Sequence, residues 1–178
     1  MNLSTLRRRL QTEVVHLLPP FFASKTRTEV FRRLGVVIGE ETLIHGELRV
    51  TPGCELSLLR IGKCGSITGP LFVDIGAEVT IGDGVCIGHH VFIYTHSHPV
   101  GTAAQRCSPV LTCDPVSVGD GTWVASHVVL LPGARIGKGC VVAAGSIVTR
   151  STPPTDDVFL SGNPARILGP VKALAVVG

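Results

Sequence analysis

Aromatic residues are scarce in this chain, and their scarcity restricts the core that it can build. Phe, Trp and Tyr make up 4% of the 178 residues, with a single Trp and a single Tyr. Aromatic rings are the bulkiest apolar groups available to a wide core. Val, Ile and Leu are plentiful instead, and 21 residues are glycine. We therefore expect one domain with a narrow core of branched aliphatic side chains.

Features of several other protein classes are also absent from the sequence. There is no run of about 18 apolar residues, so we expect no transmembrane helix. The net charge is +3 and the basic residues beyond Arg33 are scattered, so we expect no nucleic-acid partner. The six cysteines include no C-x-x-C pair and no zinc-ribbon spacing. Phosphate-binding glycine loops and G-x-S-x-G elbows are missing as well.

Apolar residues recur at every sixth position in two long stretches of the chain. The first stretch runs from Ile75 to Ile93 and the second from Val118 to Val148, and Gly or Ala follows most of these residues. An α-helix repeats every 3.6 residues and a half-buried strand every 2, so a period of six fits neither. It is typical of hexapeptide repeats that coil as a parallel β-helix, with every sixth side chain in the core.

The repeats also divide the chain into segments. We predict an N-terminal helix and connector over residues 1–35, a coil over 36–152 and a C-terminal segment over 153–178. The six-residue pattern stops after His98 and resumes at Val118, which predicts a loop over 98–117 that leaves one corner of the coil. With three sides of six residues each, the repeats make roughly five turns.

The N-terminal segment combines basic and apolar residues. Prolines interrupt its apolar stretch and no small-residue cleavage site follows, so we predict no secretory signal and a cytoplasmic location. Spacing of three to four residues between Leu3 and Leu17 predicts an amphipathic helix that covers the open end of the coil. In the alternative interpretation, Phe21 and Phe22 anchor this helix peripherally to a membrane. Residues 25–33 are predicted to be a basic connector.

Two of the seven histidines lie at the root of the predicted loop. They are His96 and His98 in the sequence T-H-S-H-P, residues 95–99. Histidine can take a proton from a hydroxyl near neutral pH, and loops on rigid scaffolds often carry function. Each of the other five is more simply a solvated or hydrogen-bonded side chain. We therefore take His96 and His98 as the catalytic candidates.

An ordered set of motifs extends from about Val73 to Leu168. Its members are V-T-I-G-D (79–83), T-H-S-H-P (95–99), W-V-A-S-H-V-V (123–129), A-G-S-I-V-T (144–149), P-P (153–154) and G-N-P-A-R (162–166). This set resembles the hexapeptide-repeat acyltransferases, specifically the maltose, galactoside and nodulation type of sugar O-acetyltransferase. The resemblance implies a left-handed parallel β-helix, a homotrimer and acetyl-CoA bound between subunits. Because left-handed crossovers are rare, the handedness comes from the resemblance alone.

The resemblance also assigns a function and a catalytic residue. It implies an O-acetyltransferase that moves an acetyl group from acetyl-CoA to a hydroxyl of a sugar or glycan precursor, without a required metal. His98, which precedes Pro99, would be the general base in a direct transfer. His96 is additional to the family motif and would orient His98 or bind the acceptor substrate. Residues 1–33 and the loop over 100–114 do not match the family, which leaves the acceptor open.

Four further residues would contact the coenzyme on the same grounds. Two would lie beside the pantetheine and two toward the nucleotide end, in the order Ser126, Ala144, Thr149 and Arg166. Ser126 and Ala144 are equally the small residues that a tight corner needs, while an Arg pairs well with phosphates. Two other functions stay open for the sequence: a zinc enzyme of the γ-carbonic-anhydrase type, and a non-catalytic β-helix scaffold.

Overall fold

A computed structural model describes Leu6, residues 19–51 and residues 54–172 of the chain. In this part of the chain, one α-helix precedes a stack of short strands, and a 3₁₀ helix (Leu56–Leu58) lies among the strands. The α-helix is α1 (Ser24–Leu34). The strands before the loop are β1 (Val37–Ile38), β2 (Leu43–Ile44), β3 (Leu48–Val50), β4 (Leu59–Ile61), β5 (Ser66–Ile67), β6 (Leu71–Asp74), β7 (Val79–Ile81), β8 (Cys86–Ile87), β9 (Val91–Tyr94) and β10 (His96–Ser97). The remaining strands are β11 (Thr112–Cys113), β12 (Val116–Val118), β13 (Trp123–Val124), β14 (Val129–Leu130), β15 (Arg135–Ile136), β16 (Val141–Val142), β17 (Ile147–Val148), β18 (Val158–Gly162) and β19 (Ala165–Pro170).

The strands form the three faces of a triangular prism. Face A consists of β1, β4, β7, β12 and β15, all parallel. Face B consists of β2, β5, β8, β13, β16 and β18 in parallel, with β19 added antiparallel to β18. Face C consists of β3, β6, β9, β14 and β17. The chain therefore passes from face to face and returns to each face one coil higher, as the six-residue period predicts.

The core is a single column of aliphatic side chains inside the prism. All ten residues of the two regular repeat stretches are buried: Ile75, Ile81, Ile87, Ile93, Val118, Val124, Leu130, Ile136, Val142 and Val148. Corners between faces are too tight for most side chains. At Gly82, for example, an added Cβ would lie 2.4 Å from Oδ1 of Asp120 in the next coil. The alternation of one core residue with one small corner residue thus reflects packing on both sides of the backbone.

The helix α1 covers the first coil. Phe31 is fully buried in the core, and the buried Arg27 donates hydrogen bonds to the carbonyl oxygens of Ile44 and His45. The helix ends at Gly35, whose positive φ of 111° suits a residue without a Cβ. Residues 25–33, predicted as a connector, therefore belong to a helix that buries one face on the coil.

The helix predicted between Leu3 and Leu17 lies outside the described residues, except for Leu6. Phe21 and Phe22, the alternative membrane anchors, are 57% and 91% exposed ahead of α1. Peripheral membrane contact stays a prediction. None of the described helices is long and apolar enough to span a bilayer.

The predicted loop is a protruding hairpin. Its base is the antiparallel pair β10–β11, in which His96 lies opposite Cys113 and Ser97 opposite Thr112. An isolated bridge between Val100 and Cys107 continues the pairing outward. The structure thus confirms an all-β parallel coil with a protruding loop.

Candidate active site

His98 stands at the root of the hairpin, directly after β10. Its Nδ1 lies 2.6 Å from the carbonyl oxygen of Ser108, on the opposite side of the loop. A carbonyl oxygen can only accept, so Nδ1 must carry the hydrogen in this bond. The neutral ring then has its lone pair on Nε2, which is the state that a general base needs. The hairpin therefore fixes both the orientation and the tautomer of His98.

His96 is fixed in the same manner by a carboxylate. Its Nδ1 donates to Oδ2 of Asp74, which lies one coil earlier at the end of β6. The same carboxylate also accepts from Oγ1 of Thr51 at 2.8 Å. The side chain of Asp74 is only 13% exposed and that of His96 is 32% exposed. His96 is thus anchored from below and open on the other side.

The buried hydroxyl of Thr95 holds the backbone around Asp74 and His96 in place. Its Oγ1 donates to the carbonyl oxygen of Asp74 at 2.7 Å. It also accepts from the backbone N–H groups of Gly76, at 2.7 Å, and Ala77, at 3.0 Å. Three hydrogen bonds to one side chain therefore tie the corner after Asp74 to the residue that precedes His96.

The two imidazoles contact each other. Their ring centroids are 5.6 Å apart and the ring planes are nearly perpendicular, at 84°. Each ring engages its Nδ1 with a fixed acceptor of the protein, and no hydrogen bond to Nε2 of either ring is present among the described residues. Both rings thus keep Nε2 free of a protein partner among the described residues.

The four residues predicted to contact the coenzyme lie at two places. Ser126 and Ala144 occupy neighbouring corners of successive coils, since the N–H of Gly145 donates to the carbonyl oxygen of Ser126. Thr149 and Arg166 lie farther along, where Oγ1 of Thr152 contacts the carbonyl oxygen of Ala165 at 3.4 Å. Arg166 is exposed on β19. In the part of the chain that the structure describes, no hydrogen bond joins any of these four to His98.

Sequence reasoning missed Asp74, Thr95 and the carbonyl of Ser108. Asp74 and His96 are paired across neighbouring coils although 22 residues separate them. The early coils are irregular in length, so the period of six does not bring these positions into register. A search for polar residues about one coil before the T-H-S-H-P motif would have found Asp74.

Two other histidines also lie close together. His90 and His127 stack with their ring centroids 5.0 Å apart. Among the described residues, no group of three or more His, Cys, Asp or Glu could hold a metal ion.

Comparisons with known proteins agree with this fold. Residues 115–150 match the family model described as bacterial transferase hexapeptide (six repeats). Galactoside O-acetyltransferase of Escherichia coli is 30% identical over 142 residues, which cover 80% of this chain and 67% of that protein. A Saccharomyces cerevisiae relative is 41% identical over 93 residues, 52% of this chain and 46% of that protein. The chain thus spans about half the length of several curated relatives that it matches.

Solved structures show the same architecture. A hexapeptide-repeat acetyltransferase of Vibrio cholerae, complexed with acetyl coenzyme A, has a TM-score of 0.75 and 28% identity, covering 94% of this chain and 89% of that chain. A maltose O-acetyltransferase of Clostridium difficile has a TM-score of 0.74 and 25% identity, covering 97% and 90%. The fold is therefore that of the left-handed β-helix acetyltransferases. The chain belongs to the hexapeptide-repeat acyltransferase family, and it resembles the maltose and galactoside acetyltransferases as its motifs predict.

Proposed function

We propose that this protein is an acetyl-CoA-dependent O-acetyltransferase that acetylates a hydroxyl of a sugar or glycan precursor. The observation that carries the proposal is the hydrogen bond from Nδ1 of His98 to the carbonyl of Ser108, which leaves Nε2 as a free base. The relatives named as galactoside and maltose O-acetyltransferases, and the Vibrio cholerae complex with acetyl coenzyme A, support the donor and the acceptor class.

The proposed reaction is a direct transfer. Nε2 of His98 takes the proton of the acceptor hydroxyl as its oxygen attacks the thioester carbonyl carbon. The C–S bond then breaks, and the protonated His98 gives its proton to the departing thiolate. The backbone N–H of Ser126 donates to no protein acceptor among the described residues. We assign it to the oxyanion that develops on the thioester oxygen.

A homotrimer would bring the separate parts of the site together. Four of the five outward-facing strand residues on face A are polar, namely Arg60, Thr80, Ser117 and Arg135, and the fifth is Val37. Those on faces B and C include a row of apolar side chains: Trp123, Val141, Phe159, Phe72, Phe92 and Val129. In a closed ring each copy uses two different faces, one for each neighbour. Two faces with rows of apolar residues and one mostly polar face fit that requirement, with the coenzyme in the groove between copies.

The first test is calorimetric titration of metal-free protein with acetyl-CoA. Wild type and His98→Ala should both bind near one equivalent per chain, because His98 acts on the acceptor and not on the donor. Turnover with a responsive acceptor should fall by about 10²–10⁴-fold in His98→Ala. Absence of binding to either protein would refute the proposal.

Two sets of variants test the coenzyme contacts and the transfer mechanism separately. Arg166→Ala should weaken acetyl-CoA binding, whereas Arg135→Ala on face A serves as the matched control for loss of an exposed arginine. Cys107→Ala and Cys113→Ala should retain activity. If either cysteine variant lost as much activity as His98→Ala, a covalent acyl-enzyme would replace the direct transfer.

A further inference from the structure

The pair formed by Asp74 and His96 has no role in the transfer described above. It nevertheless lies against the base, since the rings of His96 and His98 are in edge-to-face contact. A second oriented imidazole in a site that needs only one base calls for its own chemical explanation.

Hydrogen bonds to the carboxylate of Asp74 hold His96 in one orientation. Oδ2 accepts from Nδ1 of His96 and from the backbone N–H groups of His96, at 3.3 Å, and Thr95, at 3.4 Å. Oδ1 accepts from the hydroxyl of Thr51 at 2.8 Å. Each of these partners has a hydrogen to donate, which suits an ionised carboxylate. The pair therefore fixes the tautomer of His96, with hydrogen on Nδ1 and the lone pair on Nε2.

His96 and His98 differ in the group that accepts from Nδ1, but both present Nε2 as a hydrogen-bond acceptor. His98 is held by a neutral carbonyl and His96 by a charged carboxylate, and both leave Nε2 free. A neutral Nε2 accepts a hydrogen bond from a hydroxyl. The ring centroids are 5.6 Å apart, so both rings lie within the span of one sugar-sized molecule.

We propose that the acceptor carries two neighbouring hydroxyls, and that Nε2 of His96 binds the one next to the hydroxyl that His98 deprotonates. Asp74 is then a positioning residue that acts through His96. This inference rests on the proposed function and deepens it by naming a vicinal diol as the required acceptor group. A site with a fixed polar group rejects an analogue that lacks the matching hydroxyl, because the polar group loses its partner.

The first experiment reads the tautomers directly by ¹⁵N nuclear magnetic resonance of the histidine rings. In wild type at a pH where the rings are neutral, His96 and His98 should both carry hydrogen on Nδ1. Asp74→Asn should give His96 a mixture of tautomers, because an amide can accept from Nδ1–H or donate to bare Nδ1. The signals of His98 should stay unchanged, as should those of both rings in the control Glu78→Gln. Hydrogen on Nε2 of His96 in wild type would overturn the proposal.

The second experiment measures acetylation of methyl glycosides and of the matching monodeoxy glycosides. For a glycoside with a vicinal diol, His96→Ala should raise KM by about tenfold, the value of one hydrogen bond. It should leave unchanged the KM of the deoxy analogue that lacks the neighbouring hydroxyl. Asp74→Asn should shift KM in the same direction by less, and His96→Gln should restore part of the loss.

The outcomes distinguish the two proposals. Failure to bind acetyl-CoA would refute the proposed function. Binding of acetyl-CoA with equal effects of His96→Ala on diol and deoxy acceptors would refute only the role of His96. Binding without acetylation of any vicinal-diol glycoside would overturn the acceptor class and leave the coenzyme assignment intact. His45→Gln removes an imidazole outside the site and should change none of these measurements.

Discussion

Replacement of Thr95 by valine tests the corner on which the site is built. The Thr95 side chain is fully buried, and its hydroxyl makes three backbone hydrogen bonds. Valine keeps the shape of threonine but leaves the N–H groups of Gly76 and Ala77 without their acceptor. An unsatisfied buried donor costs about 1–3 kcal/mol. Gly76 is exposed, so water can replace part of the loss, and we expect about 2 kcal/mol in total.

Urea unfolding at one fixed protein concentration measures this change. With a slope of about 2 kcal/mol per molar urea, Thr95→Val should lower the midpoint by roughly 1 M. Thr95→Ser keeps the hydroxyl and removes one methyl group, so it should cost about 0.8 kcal/mol. A Thr95→Val midpoint equal to that of wild type, or a larger loss in Thr95→Ser, would show that the hydroxyl does not hold the corner.

Three further predictions concern the coil, the assembly and a cysteine. Ile81→Ala should lower the free energy of unfolding by about 3–4 kcal/mol because it opens a cavity, while Thr80→Ala on the outer side of the same strand should change it by less than about 0.5 kcal/mol. Phe92→Glu should prevent formation of the proposed trimer in sedimentation velocity, whereas Thr80→Glu on face A should leave it intact. A Phe92→Glu protein that still formed a trimer would exclude face C from the interface. The hydrogen bond from the Cys64 thiol to Glu41 raises the pKa of that thiol, which lowers its thiolate fraction at a given pH. Glu41→Gln should therefore speed alkylation of Cys64 at pH about 8, read by peptide mass spectrometry, and an unchanged rate would contradict this cause.

The sequence predicted the coil because its period reports a local requirement. Each turn of a narrow prism must place an aliphatic side chain inside and a small residue at the corner, and this requirement repeats without reference to distant residues. Ile87 and Leu130 could therefore be assigned to the core from spacing alone, and both are buried. The position of the loop followed from the same rule, since the pattern stops and resumes.

The helix α1 could not be predicted from residue spacing. Its residues are rich in charge, which favours a solvated connector when the segment is considered alone. Tertiary packing decided otherwise, because Phe31 fills the end of the core and Arg27 binds carbonyls of the first coil. Neither contact produces a periodic pattern in the sequence.

The candidate site likewise combines features that the sequence predicts with features that only the tertiary structure shows. The sequence by itself determined the scaffold, the loop and the two histidines at its root, because these depend on residue types at short spacing. Only the tertiary structure decided which acceptor holds each ring. Ser108 meets His98 through the pairing of the hairpin, and Asp74 meets His96 between neighbouring coils. Such contacts depend on register between distant segments, which a repeat of six residues does not encode.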